Sequence, residues 1–167
     1  TTRLLLGAAL ADGESFVRRP ATNDDARALV DCLRLLGAAI TEESGDLRVQ
    51  GFAARPRRPD RPLNPGNAGA VLRLLLGTAC LVEGDVEFVT DHADSLGRRP
   101  NRELLDALSQ LGAEVEARGP EGLLPIRIAG GRSRVRGGDV TIDASRSSQV
   151  LSSLLYVTPF LEETTNI

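Results

Sequence analysis

The sequence predicts an α/β chain built by repeating a βαβαββ unit around a pseudo-threefold axis, with the third copy incomplete. Three observations predict it. Arg3-Leu4-Leu5-Leu6-Gly7-Ala8-Ala9-Leu10 recurs 70 residues later as Arg73-Leu74-Leu75-Leu76-Gly77-Thr78-Ala79-Cys80-Leu81. Leu33-Arg34-Leu35-Leu36-Gly37-Ala38 recurs 75 residues later as Leu108-Ser109-Gln110-Leu111-Gly112-Ala113, so the order of parts is kept. Between these copies, apolar stretches at helical spacing alternate with short strand-like stretches and glycine turns. Offsets this long exceed those of solenoid repeats and indicate duplication of a whole unit.

The elements follow in order. An apolar helix is expected over 2–11, stopped at Asp12-Gly13, and a strand over 15–18. Asn23 or Asp24 caps a helix over 25–36, with Ala26, Leu29, Val30, Leu33 and Leu36 at helical spacing. Strands over 39–42 and 47–49 flank a turn at Ser44-Gly45-Asp46. The second copy has a helix over 70–82, a strand over 86–90, a helix over 101–111 and strands over 114–117 and 126–129. The third has a strand over 139–143 and a helix over 148–157, whose Ser152-Ser153-Leu154-Leu155-Tyr156-Val157 weakly repeats the first helix. The units are expected at about 1–62, 63–136 and 137–167 of a single domain. With no Met anywhere and a third unit that stops midway, the chain reads as a fragment lacking material at both ends.

Composition narrows the chemistry. At this length roughly 70% of the unfolded surface can be buried, and with aromatics at 3% the core is Leu, Val and Ala. All 20 basic residues are Arg, which excludes a Walker lysine, a Schiff-base lysine and a lysine general base within the chain. A single histidine, His92, and the absence of Gly-x-Ser-x-Gly leave no support for a serine hydrolase or a histidine-rich metal site. Cys32 and Cys80 are too few for a thiolate zinc site, and a reduced, cytoplasmic setting is the simpler reading. No apolar run approaches the ~18 residues of a membrane span, and no secretory signal is visible. A net charge of −3 gives no general attraction to nucleic acid. The arginine-rich stretch from Arg48 to Arg61 reads as a solvated loop or an anion-facing one.

Three segments share one design, a polar or glycine-rich turn feeding an apolar helix. Gly66-Asn67-Ala68-Gly69 is either a simple turn or a site where free helix N–H groups meet an anion. Ser145-Arg146-Ser147-Ser148-Gln149 supplies hydroxyls and amides for a phosphate, or one serine merely caps the helix. Asp94-Ser95-Leu96-Gly97-Arg98-Arg99-Pro100 ends in an arginine fork beside a helix start, or in an ordinary surface arginine. If the units pack around a shared axis, these ends converge on one donor-rich surface suited to a polyanion.

With these residues set out, the sequence resembles the 5-enolpyruvylshikimate-3-phosphate synthases (3-phosphoshikimate 1-carboxyvinyltransferases). Gly66-Asn67-Ala68-Gly69 with Leu72-Arg73, Asp94-Ser95-Leu96 with Arg99-Pro100, and Ser147-Ser148-Gln149 with Leu154-Leu155 and Pro159 are all similar to that family's motifs. Arg3-Leu4-Leu5-Leu6 and Asn23-Asp24-Asp25 with Arg27 resemble two more, in order along the whole chain. The resemblance implies an enolpyruvyl transferase-like fold of two similar domains, of which this chain covers most of one. It implies transfer of the carboxyvinyl group of phosphoenolpyruvate to the 5-hydroxyl of shikimate 3-phosphate, through a tetrahedral adduct, in aromatic amino acid biosynthesis. No metal and no redox cofactor are implied.

By the same resemblance Ser147 and Ser148 hold the phosphate of shikimate 3-phosphate, Arg3 pairs with its carboxylate and Gln149 sits between both substrates. Arg99 and the Gly69 N–H bind phosphoenolpyruvate, with Asn67 and Asp25 supporting the pocket. The partners implied are these two small molecules and the second domain, which supplies acids and further basic residues. Without that domain the fragment is expected to be inert. Two departures stand out. The family's lysine and serine upstream of Arg3 are not in the chain, and Ala70 occupies a position that usually carries Thr or Ser. The sister transferase acting on UDP-N-acetylglucosamine fits less well, because its loop cysteine has no counterpart near Ser95 or Leu96. A non-catalytic anion-binding module is the remaining alternative.

Overall fold

The computed structural model describes residues 1–131, 133–145 and 147–167; Arg132, and Arg146 within the serine-rich turn, lie outside the described residues. The chain opens with an apolar helix, α1 (Thr2–Leu10), which buries Leu5, Leu6, Ala8, Ala9 and Leu10. A short strand, β1 (Glu14–Val17), leads to α2 (Asp24–Leu35), where Asn23 Oδ1 accepts from the Ala26 N–H at 3.1 Å and caps the helix. Asp24 and Asp25 in the first turn and Arg34 in the last complement the helix dipole. The hairpin β2 (Ala39–Glu43) and β3 (Asp46–Gln50) completes a sheet of order β1-β3-β2, with β3 antiparallel to both neighbours. Val17, Ile40 and Val49 face the core from it, while Phe16 and Arg48, opposite each other, face out.

The same order then recurs. Leu63 bridges in parallel to Phe88, and α3 (Gly69–Ala79), β4 (Gly84–Phe88), α4 (Arg102–Gln110), β5 (Glu114–Arg118) and β6 (Leu123–Gly130) follow. The second sheet has order β4-β6-β5, again antiparallel about its central strand. α3 is apolar nearly all round because it is the most enclosed helix, burying Val71, Leu72, Leu74, Leu75 and Leu76. α2 and α4 end alike, at Gly37 (φ +109°) and Gly112 (φ +105°), left-handed conformations that favour glycine. The first helix of each copy is also sealed alike. Gly51 after β3 donates to Gly13 O and packs on the end of α1, and Gly130 in β6 packs on Ala79 and Cys80.

The third copy differs from expectation. The strand expected over 139–143 is only β7 (Gly138–Asp139), paired in parallel with β8 (Thr165–Asn166) after helix α5 (Ser148–Val157). Beyond it the Gln110 side chain takes the place of a neighbouring strand. Its Nε2 donates to Thr141 O at 3.0 Å and its Oε1 accepts from Thr141 N at 2.9 Å. Helix α3 also stops three residues short of the expected 82, because Cys80, Leu81 and Val82 donate to carbonyls three residues back and tighten the turn. The expected 86–90 strand lies instead at Gly84–Phe88, freeing Thr90 to donate its hydroxyl to Gly66 O at 2.7 Å.

The arginine-rich stretch is structural where its contacts are defined. Arg48 pairs with Glu14 and Glu43, and Arg58 with Asp85. Arg57 lies over Gly37 and donates to the carbonyls of Leu35 and Arg34 at 3.1 and 3.3 Å, capping α2. Among the described residues no helix is long and apolar enough to cross a membrane.

Both thiols are buried. Burial pushes Cys32 and Cys80 up to about 12 from an ordinary 9.0. A thiol reagent at pH 8 is therefore expected to label neither in the folded chain. The sign of the pH effect follows: above pH 9.0 unfolded thiols ionise while folded ones stay protonated, so stability falls as pH rises toward about 12. The slope is roughly 1.4 kcal/mol per pH unit per thiol. Thermal melts from pH 8 to 11 should fall more steeply for the native chain than for the Cys32→Ala/Cys80→Ala variant; parallel curves would contradict this.

Candidate functional site

The first helices of the three copies pack together. Gly77 of α3 lies against Ser153 and Val157 of α5, where no side chain would fit. Ser153 Oγ donates to Arg73 O at 2.6 Å, and Gly7 of α1 faces the Tyr156 ring of α5. Tyr156 in turn donates its hydroxyl to Arg3 O at 3.0 Å. Packing at these points brings the starts of α1, α3 and α5 to one end of the cluster. Neither Thr1 nor Ala68 caps its helix with a side chain, so the first-turn amides of α1 and α3 have no side-chain acceptor there. α2, by contrast, is closed by Asn23.

Side chains converge at that end. Arg73, one turn into α3, donates from Nη1 to Gln149 Oε1 at 2.7 Å and from Nη2 to Pro100 O at 3.2 Å. A Cβ on Gly69 would lie 2.9 Å from Arg99 Nη1 and 3.5 Å from Arg73 Nη1, so both guanidinium groups face the start of α3. Burial, and then the Arg99 charge, push the Arg73 pKa down, while Glu103 opposes the shift. Two cations held against one helix start favour an anion between them. Next to them is a cavity of about 180 Å³ lined by Arg73, Pro100, Glu103, Asp143, Ser147 and Val150. Arg3 Nη2 reaches Ser152 Oγ at 3.4 Å, and Ser152 Oγ donates to Ser148 O at 3.1 Å.

Of the residues singled out in the sequence, Gly69, Arg99, Gln149 and Ser147 gather around Arg73, and Arg3 joins the start of α5 through Ser152. Ser147 also caps α5, accepting from Gln149 N at 3.3 Å, so capping and exposure to the cavity coexist in one residue. Ser148 is exposed at the helix start. Asn67 and Asp25 are exposed; α2 meets the turn through Ala28, one turn past Asp25, which packs on Gly66. Sequence reasoning named Arg73 within a motif but gave it no place in the site. The available signal was its position four residues past Gly69, which puts it above the helix start on the same face.

A second concavity, about 380 Å³ between α2 and the β2–β3 hairpin, is lined by none of these site residues. Its arginines are already engaged, Arg27 with Asp24 and Arg34 with Asp31 and Ile40 O.

Fold and site together define a class: a repeated α/β domain that gathers helix starts and arginine side chains at one end of its helix cluster. A sequence model of EPSP synthase (3-phosphoshikimate 1-carboxyvinyltransferase) matches residues 1–167. The chain is 49% identical over 163 residues to the 3-phosphoshikimate 1-carboxyvinyltransferase of Deinococcus radiodurans, covering 98% of this chain and 36% of that protein. It is 39% identical over 155 residues to the Halobacterium salinarum protein of the same name, covering 93% of this chain and 35% of that one. The solved EPSP synthase of Acinetobacter baumannii superposes with a TM-score of 0.83 at 27% identity, over 96% of this chain and 36% of that one. The chain belongs to the EPSP synthase family. It spans about a third of the length of the curated relatives it matches.

Proposed function

We propose that this chain carries one half of the active site of an enzyme that transfers the carboxyvinyl group of phosphoenolpyruvate to the 5-hydroxyl of shikimate 3-phosphate. In that reaction the 5-hydroxyl oxygen, losing its proton, bonds to C2 of phosphoenolpyruvate as C3 takes up a proton, and the tetrahedral adduct then loses inorganic phosphate from C2 and a proton from C3. The observation that carries the reading is the cluster of Arg73, Arg99, Gly69 and Gln149 at the start of α3. Arg99 and the Gly69 N–H hold phosphoenolpyruvate; Ser147 and Ser148 hold the phosphate of shikimate 3-phosphate; Arg3 pairs with its carboxylate. Gln149, fixed by Arg73, lies between the two substrates. Asn67 and Asp25 support the rim. These groups bind and orient, and fixed donors of this kind stabilise charge that develops in an adduct. The remaining partner is a second domain of the same enzyme, and the setting is cytoplasmic.

The test is a chimera. The matching segment of the Deinococcus radiodurans relative, 49% identical, is replaced by these 167 residues, and phosphate release is measured. Release requiring both substrates, with none when UDP-N-acetylglucosamine replaces shikimate 3-phosphate, is expected. The 167 residues alone are expected to show no turnover. A soluble, folded chimera that binds neither substrate would refute the proposal.

Gly69→Ala tests the geometry at one atom. The added methyl would press on the flexible end of Arg99 rather than on backbone, so folding should be unaffected. Affinity for phosphoenolpyruvate is expected to fall about tenfold, the scale of one displaced hydrogen bond. Unchanged affinity by calorimetric titration would separate Arg99 from this ligand.

A further inference from the structure

Asn101 stands at the start of α4, where an asparagine ordinarily caps the helix, yet its side chain makes no cap. It is 1% exposed. Its Nδ2 donates to Arg99 O at 2.9 Å and to Gly122 O at 3.1 Å, and its Oδ1 is buried with no partner. The opposite amide orientation would set Oδ1 against two carbonyl oxygens, so the chemistry selects the orientation seen. A buried acceptor without a partner is a standing cost that a simple cap would avoid. The side chain is thus committed to two carbonyls at the expense of both its own oxygen and the helix.

What it holds is the backbone from which Arg99 extends. The Arg99 carbonyl is fixed by Asn101, and the next carbonyl, Pro100 O, accepts from Arg73 Nη2 at 3.2 Å. Asn101 N donates to Glu121 O at 3.0 Å, tying the segment to the turn between β5 and β6. Arg99 is itself exposed, so few side-chain contacts restrain it and the anchored peptide decides where its guanidinium starts.

We infer that Asn101 is a positioning residue: its amide locks the Arg99–Pro100 peptide so that the Arg99 guanidinium meets the start of α3. This rests on the reading of Arg99 as a phosphoenolpyruvate ligand. The test introduces Asn101→Ala and, to keep the volume filled, Asn101→Leu into the 167-residue chain for the order measurement and into the chimera for the ligand titrations. Order of the Arg99 Nε–H bond is measured by ¹⁵N relaxation, and phosphoenolpyruvate and shikimate 3-phosphate are titrated separately. In either variant that folds, the Arg99 Nε–H is expected to lose order. The phosphoenolpyruvate Kd should rise about tenfold while that of shikimate 3-phosphate stays within about twofold, since only one hydrogen-bonded anchor is lost. Undiminished order at Arg99, or both Kd values rising by one common factor, would overturn the inference. Loss of order at Arg99 together with an unsubstituted chimera that binds neither ligand would leave Asn101 in its role and refute the proposed function instead.

Discussion

Arg73→Met is expected to weaken phosphoenolpyruvate binding about a hundredfold while leaving the chain folded. Arg73 is the hub of the candidate site: one guanidinium joins Gln149 of α5 to the Pro100 carbonyl ahead of α4. Hydrogen bonds from a charged donor contribute about 1.5–3 kcal/mol, so losing one such bond's effect on the ligand site corresponds to roughly a hundredfold. Methionine keeps the packing of the stem and removes both donors and the charge. Arg73→Lys keeps the charge without the planar fork and should fall between the two. The affinities are read by calorimetry and the folded fraction by circular dichroism. A change below about threefold would mean that Gln149 and Arg99 hold their places without Arg73.

Gly51→Ala is expected to be the most destabilising small substitution in the first copy. A Cβ there would overlap Ala11 O and stand 2.6 Å from Ala8 O and 3.0 Å from Ala9 O. All three are backbone atoms at the end of α1, which cannot shift without unseating Leu5, Leu6 and Leu10 from the core. The close approach is needed because Gly51 N and Phe52 N donate to Gly13 O and Ala9 O at 3.0 and 2.8 Å. A cost of about 3 kcal/mol follows, lowering Tm by roughly 6–12 °C for a chain of this size. A melt displaced by less than about 2 °C would show that α1 moves freely. Gly130, against Ala79 O and Cys80, should behave alike, because it seals α3 in the same way.

Helices α1 to α5 and most strands were legible in the sequence because their causes are local. Asn23 caps α2 three residues from the N–H it satisfies, and Gly37 and Gly112 stop equivalent helices through their own backbone freedom. The strand expected over 139–143 was not legible as it stands, because a side chain from α4, Gln110, supplies the pairing a strand would have supplied. The arginine-rich stretch was ambiguous for a similar reason. Whether Arg57 meets an anion or a helix end depends on what lies 22 residues earlier in the chain.

By itself the amino-acid order determined the duplication, the helix starts, the polyanion-binding character of three turns and the resemblance to a family. All of these reside in residue types at short spacing. Only the tertiary structure decided that Arg73 is the hub, that Ser153 locks α5 to α3 and that Asn101 holds Arg99 in place. Arg73 and Gln149 are 76 residues apart in the chain, and Ser153 and Arg73 are 80 apart. Contacts of that kind exist only once the copies have packed, since neither helical periodicity nor capping carries information about which side chain a distant copy will present.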